Sequence, residues 1–319
     1  MRNQVSARRR WDFRIVETVV ARAPESAEHG AASATARARE SRQGSLPLPV
    51  GSRWARLTLD GLAACGSFGT VYRAFDPRTR IQVALKLANA SVPDARLNLR
   101  LLEEAARLSR VQHPSVVKIY GVAERRGRVG LCMEFLDGRT LDRVLRDEGL
   151  LGAIELVRIG HELCQALDAI HEAGLVHGDI KPQNVIRLGT GRVVVIDFGS
   201  ASEASRPARS GTPLYLAPEV LDGGTPSAAS DLYSLGVLLF HLASGDYPVR
   251  GDSIEALTRA RRFVRPLRAV RPDLPDDLCQ VIDRALRGNP RTRFRSAIVM
   301  QRALARVLSG SLERVAGAA

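Results

Sequence analysis

Lysine is almost missing from this chain of 319 residues: Lys86, Lys118 and Lys181 are the only lysines among 47 basic residues, and every other basic position is arginine. Lysine is a compact point charge and arginine a planar fork, so in a chain this free with arginine each lysine is informative. Acidic residues are short as well, 34 against 47 basic ones, which leaves a net charge of +13. That surplus is spread over the whole chain without dense blocks or interleaved aromatics. It argues against a specific nucleic-acid surface and leaves weak polyanion binding, through the basic N-terminal tail, as a by-product. Long hydrophobic runs are absent too. The longest uncharged stretch beside an apolar run, Leu232 to Gly245, has fourteen residues. A bilayer needs roughly 20, so no membrane span is expected and the stretch reads as a buried core helix. The four cysteines, Cys65, Cys132, Cys164 and Cys279, lie far apart. They form no paired ligand spacing of the zinc-binding kind, which points to a reduced, cytoplasmic compartment. The start, Met1-Arg2-Asn3, carries charge with no apolar core behind it, so no secretory signal is expected.

Length and a hydrophobic fraction of 45% allow two modest domains. Residues 1–50, rich in Ala, Arg, Ser and Glu, have little apolar periodicity, and such a composition predicts a disordered basic tail. Between 55 and 136, short apolar runs alternate with turn signals: Leu57-Thr58-Leu59, Thr70 to Ala74, Gln82 to Leu87, Val116 to Tyr120 and Val129 to Met133. Five strands and one helix make a small antiparallel sheet domain. The helix, about Asp94 to Val111, carries Leu97, Leu101, Leu108 and Val111 on a helical period. From 137 to 309 the pattern turns helical. Ile154, Val157, Cys164, Leu167 and Ile170 recur at helical spacings up to Gly174. A β pair follows, Val185-Ile186-Arg187 and Val193 to Ile196, joined by a Gly189-Thr190-Gly191 turn. Further helices are expected over Ser230 to Ala243, near Asp277 to Arg287, and over Ser296 to Leu308, with 310–319 as a tail. The fold class is α+β.

The chemistry concentrates in His177-Gly178-Asp179-Ile180-Lys181-Pro182-Gln183-Asn184, followed eighteen positions after Asp179 by Asp197-Phe198-Gly199. A carboxylate can orient a hydroxyl and take its proton, a lysine can neutralise a moving phosphate, and an amide with a second carboxylate can hold magnesium. A lone Asp or Asn is more often a turn or cap. Five polar residues at set spacings, each suited to a different part of one reaction, make that reading improbable and point to a phosphoryl-transfer centre.

On these motifs the chain resembles the eukaryotic-like (Hanks-type) bacterial serine/threonine protein kinases, over about residues 55 to 309. The resemblance implies a two-lobed kinase fold, ATP and Mg2+ as cofactors, and protein serine or threonine hydroxyls as substrates. Leu62-Ala63-Ala64-Cys65-Gly66-Ser67-Phe68-Gly69-Thr70-Val71 looks like the glycine-rich loop over the ATP phosphates, with Ala64 in the first glycine's place; its methyl is tolerated where φ is negative. Lys86 matches the lysine on the α and β phosphates. Glu104, nine residues before His113, matches its helix glutamate, and Glu103 is left on a solvated face. Met133, Glu134 and Leu136 lie in the adenine-binding hinge, with Met133 as gatekeeper, and Val71, Ala84 and Ile186 sandwich the base. Leu108, His177 and Phe198 match the regulatory spine. Asp179 matches the catalytic aspartate, Lys181 the γ-phosphate lysine, and Asn184 and Asp197 the magnesium ligands. Gly211 to Glu219 resembles the end of the activation segment, where Thr212 with Lys181 favours serine/threonine over tyrosine substrates. Glu219 is expected to pair with Arg293, and Asp231 to brace the catalytic loop.

Gly178 stands where most protein kinases have arginine. His-Gly-Asp with an Asn five residues on is shared by aminoglycoside and choline phosphotransferases, so a small-molecule kinase is one alternative. A non-catalytic scaffold is the other, motivated by Ala64 and Gly178. Lys181-Pro182, Asp197-Phe198-Gly199 and Ala217-Pro218-Glu219 oppose the first, and the presence of Lys86, Glu104, Asp179, Asn184 and Asp197 opposes the second.

Overall fold

The computed structural model describes residues 48–65, 69–88, 94–197, 202–203, 213–251, 256–257 and 264–316. The expected tail over 1–47, the loop tip Gly66-Ser67-Phe68, Phe198-Gly199 and Gly211-Thr212 lie outside them. The chain divides into two compact units: the described part of Met1–Arg110 with Lys118–Leu136, and Val111–Val117 with the described part of Asp137–Ala319.

The first unit is an antiparallel sheet of six strands, β1 (Arg53–Trp54), β2 (Leu57–Cys65), β3 (Thr70–Asp76), β4 (Ile81–Leu87), β5 (Ile119–Arg125) and β6 (Arg128–Glu134), in the order β1-β2-β3-β4-β6-β5. One strand more than the sequence suggests is present, because Arg53 and Trp54 fold back on Thr58 and Leu57. Trp54, Leu57, Leu59, Tyr72 and Leu85 pack into one buried cluster. The apolar run Val116 to Tyr120 is not one strand. Val116 bridges to Val195 and the Val117 N–H donates to the Val195 carbonyl at 3.0 Å, both in the second unit, so the strand proper begins at Ile119. Lys118, expected in a strand, lies just before it. β5 and β6 turn through Arg126 and Gly127, with φ 51° and 75°; two central residues of positive φ match the right-handed twist of a tight hairpin. The helix α1 (Ala95–Ser109) begins where the Asp94 side chain accepts the N–H groups of Arg96 and Leu97.

The second unit is mainly helical: α2 (Leu141–Glu148), α3 (Ala153–Glu172), α4 (Pro218–Leu221), α5 (Ala228–Ser244), α6 (Asp276–Ala285) and α7 (Ala297–Ala316). Its strands are β7 (Gly138–Thr140), β8 (Leu175–Val176), β9 (Val185–Leu188), β10 (Val193–Val195) and β11 (Ser202–Glu203). The expected β pair is β9 and β10, extended by β7 to three strands. β7 and α2 leave no clear pattern in the sequence; α2 buries only Leu141 and Val144. α5 is the expected core helix, opened by a Ser227/Ser230 capping box and closed by Gly245 at φ 69°. Ile154 departs from its pattern. It sits in the first turn of α3 and is 74% exposed, while the buried face runs from Leu156 and Val157 to Ile170. At a helix end the core no longer covers every position of the stripe. α7 stays helical to Ala316, past the expected end at Leu308.

Arg293 is the largest buried side chain of this unit. Its Nη1 and Nη2 each meet a Glu219 oxygen at 2.7 Å, and it donates further to the carbonyls of Ala229, Gly288 and Arg287. Its guanidinium lies 4.9 Å from the Tyr233 ring. Removing one member of a buried pair leaves the other charge without compensation. Arg293→Met is therefore expected to cost roughly 3–5 kcal/mol of stability, and Ile154→Gln less than about 0.5 kcal/mol. Chemical denaturation followed by circular dichroism checks both. Equal shifts would mean that the pair adds nothing.

Candidate active site

In the first unit, β4 carries Lys86 and α1 carries Glu104. Lys86 Nζ lies 2.8 and 3.0 Å from the two Glu104 carboxylate oxygens, and the two residues are 7% and 4% exposed. An ammonium buried this far is tolerable only because the carboxylate meets it. Glu103, its neighbour, is turned to solvent with Arg107 at 3.8 Å. Along the β2–β3 hairpin Leu62 pairs with Tyr72, Ala64 with Val71 and Cys65 with Thr70, and a register shift falls between Leu62 and Ala64. Leu62 is half exposed, and Cys65 is exposed. Ala64 is not among the residues of positive φ, so its methyl is accommodated without strain. Gly69 is required by contact: a Cβ there would lie 2.5 Å from the Leu87 carbonyl oxygen of the next strand. Val71 stands opposite Lys86 and Met133 opposite Ala84. Glu134 donates its backbone N–H to the Lys118 carbonyl at 2.8 Å, and Leu136 ends this unit half-buried.

In the second unit the loop from His177 to Asn184 is folded around its own polar groups. Asp179 Oδ2 receives Lys181 Nζ at 2.6 Å and Asn184 Nδ2 at 3.0 Å; the same Nδ2 lies 2.9 Å from the Asp179 carbonyl oxygen. Only the nitrogen of Asn184 can donate to those two oxygens, so the orientation of its amide is fixed by chemistry. The Ile196 N–H donates to the Asn184 carbonyl at 2.8 Å, and the next residue, Asp197, has φ 66°, a left-handed conformation rare outside glycine. Ile186 lies half-buried on β9. Beneath the loop, the buried Asp231 of α5 accepts the N–H groups of His177 and Gly178 at 2.9 Å each, and His171 Nε2 at 2.9 Å. Gly178 has φ 76°, which glycine adopts without cost.

The electrostatics follow from burial and these bonds. Burial alone raises the Asp231 carboxyl, but the His171 hydrogen bond and the Gly178 N–H outweigh it and hold the group below its ordinary 3.8. Burial holds the His177 imidazole below 6.5 against the pull of Asp231, Asp179 and Asp197. Its Nδ1 accepts the Asp179 N–H at 3.2 Å, which requires the neutral ring.

Two residues escape the sequence reading. His171, at the end of α3, holds Asp231 from the other side. Asn98 of α1 donates to the Gly127 carbonyl at 2.7 Å and accepts the Val129 N–H at 3.0 Å, tying the glutamate-bearing helix to the β5–β6 hairpin. Neither contact has a local sequence signal. Leu62, Ala64, Cys65, Gly69, Val71, Ala84, Lys86, Glu104, Met133, Glu134 and Leu136 thus belong to the first unit, and Asp179, Lys181, Asn184, Ile186 and Asp197 to the second.

The sequence profile of the protein kinase domain matches residues 64–304. The serine/threonine-protein kinase PknB of Mycobacterium leprae (strain TN) is 33% identical over 269 residues, which cover 80% of this chain and 43% of that protein. PknB of Mycobacterium tuberculosis (strain ATCC 25618 / H37Rv) is 33% identical over 270 residues with the same coverage. PknA of Mycobacterium tuberculosis (strain CDC 1551 / Oshkosh) is 34% identical over 268 residues, 80% of this chain and 62% of that protein. The chain spans about half the length of the curated relatives it matches.

His113 and His241, like His177, are held below 6.5 by burial. Below 6.5 the unfolded chain takes up protons that the folded chain refuses, so stability falls as the pH drops through that value towards the folded pKa values. The fully buried His177 contributes up to about 1.4 kcal/mol per pH unit, and the partly exposed His113 and His241 less, because solvent screens them. The lowered carboxylates, such as Asp231, add their loss only below 3.8. Denaturation midpoints at about pH 7.5 and about pH 5.5 should show a clear decrease at the lower value. His177→Asn, whose side-chain oxygen can still accept the Asp179 N–H, should flatten part of it. A flat wild-type profile would contradict a neutral, buried His177.

Proposed function

The chain belongs to the protein kinase domain family, and from that premise we propose that it is a serine/threonine protein kinase transferring the γ-phosphate of ATP to protein hydroxyls. The observation that carries this reading is the placement of Lys181 and Asn184 about Asp179: in one short loop an ammonium and an amide both reach the same carboxylate oxygen. Lysine two residues after the aspartate supports serine/threonine over tyrosine acceptors. Scarce cysteine, with all four thiols free, supports a cytoplasmic setting, and no described helix is long and apolar enough to cross a membrane.

The donor set fits magnesium. Asn184 directs its nitrogen to Asp179 and so presents its oxygen elsewhere, and Asp197 adds a carboxylate one residue beyond the Ile196–Asn184 backbone bond. Two protein oxygens suit an ion that keeps several waters and takes the rest of its shell from substrate phosphates. When bound, the ion neutralises charge on the phosphates. The residues of this chain do the positioning. Asp179 orients the acceptor hydroxyl and takes its proton, Asn184 and Lys181 fix the carboxyl plane, and Lys181 then has its ammonium beside the transferred group. Lys86, aimed by Glu104, holds the non-transferred phosphates. Little covalent chemistry is asked of the protein, and the rate comes from positioning and charge stabilisation.

Incubation with labelled ATP, magnesium and a generic basic protein tests the reading. Asp179→Asn and Asp197→Ala are each expected to abolish transfer in a folded protein, and activity within roughly tenfold of wild type would sink the assignment. Lys86→Arg is expected to lose at least about a hundredfold in turnover, about 2.7 kcal/mol, because one ammonium cannot be replaced by a longer fork between Glu104 and phosphate. Lys118 is half-buried with Nζ 5.6 Å from the Tyr120 ring centre, a contact that arginine keeps. Lys118→Arg should leave turnover unchanged. Equal turnover in the two lysine variants would remove Lys86 from the site.

A further inference from the structure

α6, Phe294 and α7 line an open groove of about 600 Å3 that phosphoryl transfer does not use. Arg284, Arg287 and Arg306 line it, and all three are exposed. Arg284 is pinned by stacking 4.4 Å from the centre of the Phe294 ring and by a bond of 3.4 Å to the Arg293 carbonyl. Arg287 is held by the Thr292 carbonyl at 3.1 Å. Among the described residues none of the three forms an ion pair with a carboxylate, whereas Arg139, Arg187, Arg250 and Arg271 do. Arg302, one turn before Arg306 on the same face of α7, is exposed and without such a pair as well.

Two carboxyl groups also line the cavity, so its lining sets three guanidiniums against two carboxyls. Asp283 is engaged by the Leu267 N–H at 3.0 Å, and burial raises its carboxyl above 3.8. Asp277 lies in the first turn of α6, where a carboxylate complements the helix N-terminus. Val281, Ala303 and Val307 give the cavity an apolar floor beside Phe294.

We propose that this groove docks an acidic peptide segment of a protein partner, with carboxylate side chains on the guanidinium forks and an apolar side chain on the floor. Arginine forks bind carboxylates bidentately, and the contacts of Arg284 with Phe294 and of Arg287 with a backbone carbonyl reduce the entropy that those two forks lose on doing so. Apolar floor and guanidiniums side by side favour a peptide, which can offer apolar and carboxylate side chains together, over a bilayer surface or a duplex. The loop that fixes Arg284 and Arg287 also carries Arg293, which grips Glu219 at the end of the segment next to the acceptor site. A docked substrate would gain effective concentration there; that use of the groove rests on the protein-kinase reading, and the docking itself does not.

The test uses the full chain without nucleotide. Fluorescence anisotropy of a short labelled peptide of alternating glutamate and leucine is compared with its glutamine-for-glutamate counterpart, phosphatidylserine vesicles and a short DNA duplex. The acidic peptide should bind, and the glutamine peptide should bind at least about tenfold more weakly. Arg287→Glu with Arg306→Glu should weaken binding by at least about tenfold, with an unchanged thermal midpoint, since both side chains are exposed. Arg100→Glu with Arg126→Glu, exposed positions of the other unit carrying the same charge change, should leave binding intact. Absence of peptide binding, equal loss in both double variants, or tighter binding of vesicles or DNA lost in the groove variant would each overturn the proposal. Because no nucleotide is present, such a failure leaves the phosphotransfer reading standing, and inactive transfer would leave the docking result standing.

Discussion

One buried carboxylate holds the second unit's chemistry in place. Asp231, at the start of α5, accepts two consecutive backbone N–H groups, those of His177 and Gly178, and a third bond from His171. Consecutive amides can converge on one carboxylate only if the chain between them turns sharply, and Gly178 supplies the turn with φ 76°. The turn then sets the direction in which Asp179 leaves, and the Asp179 N–H is caught by the neutral His177 ring. Asp231 itself is rigid because α5 is buried almost throughout and capped at both ends. The loop from His177 to Asn184 is thus irregular in backbone yet anchored to the buried, doubly capped helix α5, which is how a loop can hold a side chain as precisely as a helix would.

Buried charge recurs in pairs, and each pair has a different consequence. Arg293 and Glu219 are saturated: the guanidinium spends its donors on Glu219 and three backbone carbonyls, so this pair can only support structure. Lys86 sets one nitrogen on both oxygens of the Glu104 carboxylate. Replacing buried pairs by apolar residues is often neutral or stabilising, so stability alone gives little reason for a lysine inside a sheet domain. The charge is better explained by what it can attract.

What the sequence disclosed depended on whether the relevant geometry is local. The loop His177 to Asn184 could be read because its contacts, Asp179 to Lys181 and to Asn184, span at most five residues. The core helix could be read from an uncharged run closed by Gly245. Glu104 was separable from Glu103 only by counting back from His113, because both lie on the same helix and composition does not distinguish them. Where contacts are distant the sequence is silent: Asn98 meets a hairpin some thirty residues on, and His171 meets Asp231 sixty residues on. Val116 and Val117 misled for a related reason. Their β-branched pattern is real, but β10 of the other unit uses it, and no local signal tells which sheet claims a strand-like pair. Ile154 shows the limit of periodicity at a helix end.

The arginine bias sharpens the chemistry of the two motif lysines. Lys86 reaches both Glu104 oxygens from a single atom, at 2.8 and 3.0 Å, which leaves the third N–H of the ammonium outside the carboxylate plane. A guanidinium on the same carboxylate would lie in its plane and saturate it with two parallel bonds, as Arg293 does with Glu219. Lys181 stands two residues from Asp179 and meets Oδ2 at 2.6 Å; a bidentate fork there would take both oxygens of that carboxylate. At each position one ammonium touches a carboxylate, where a guanidinium fork would close it. Two of the three lysines of the chain stand at these two positions, whereas the third, Lys118, makes a ring contact that arginine would keep.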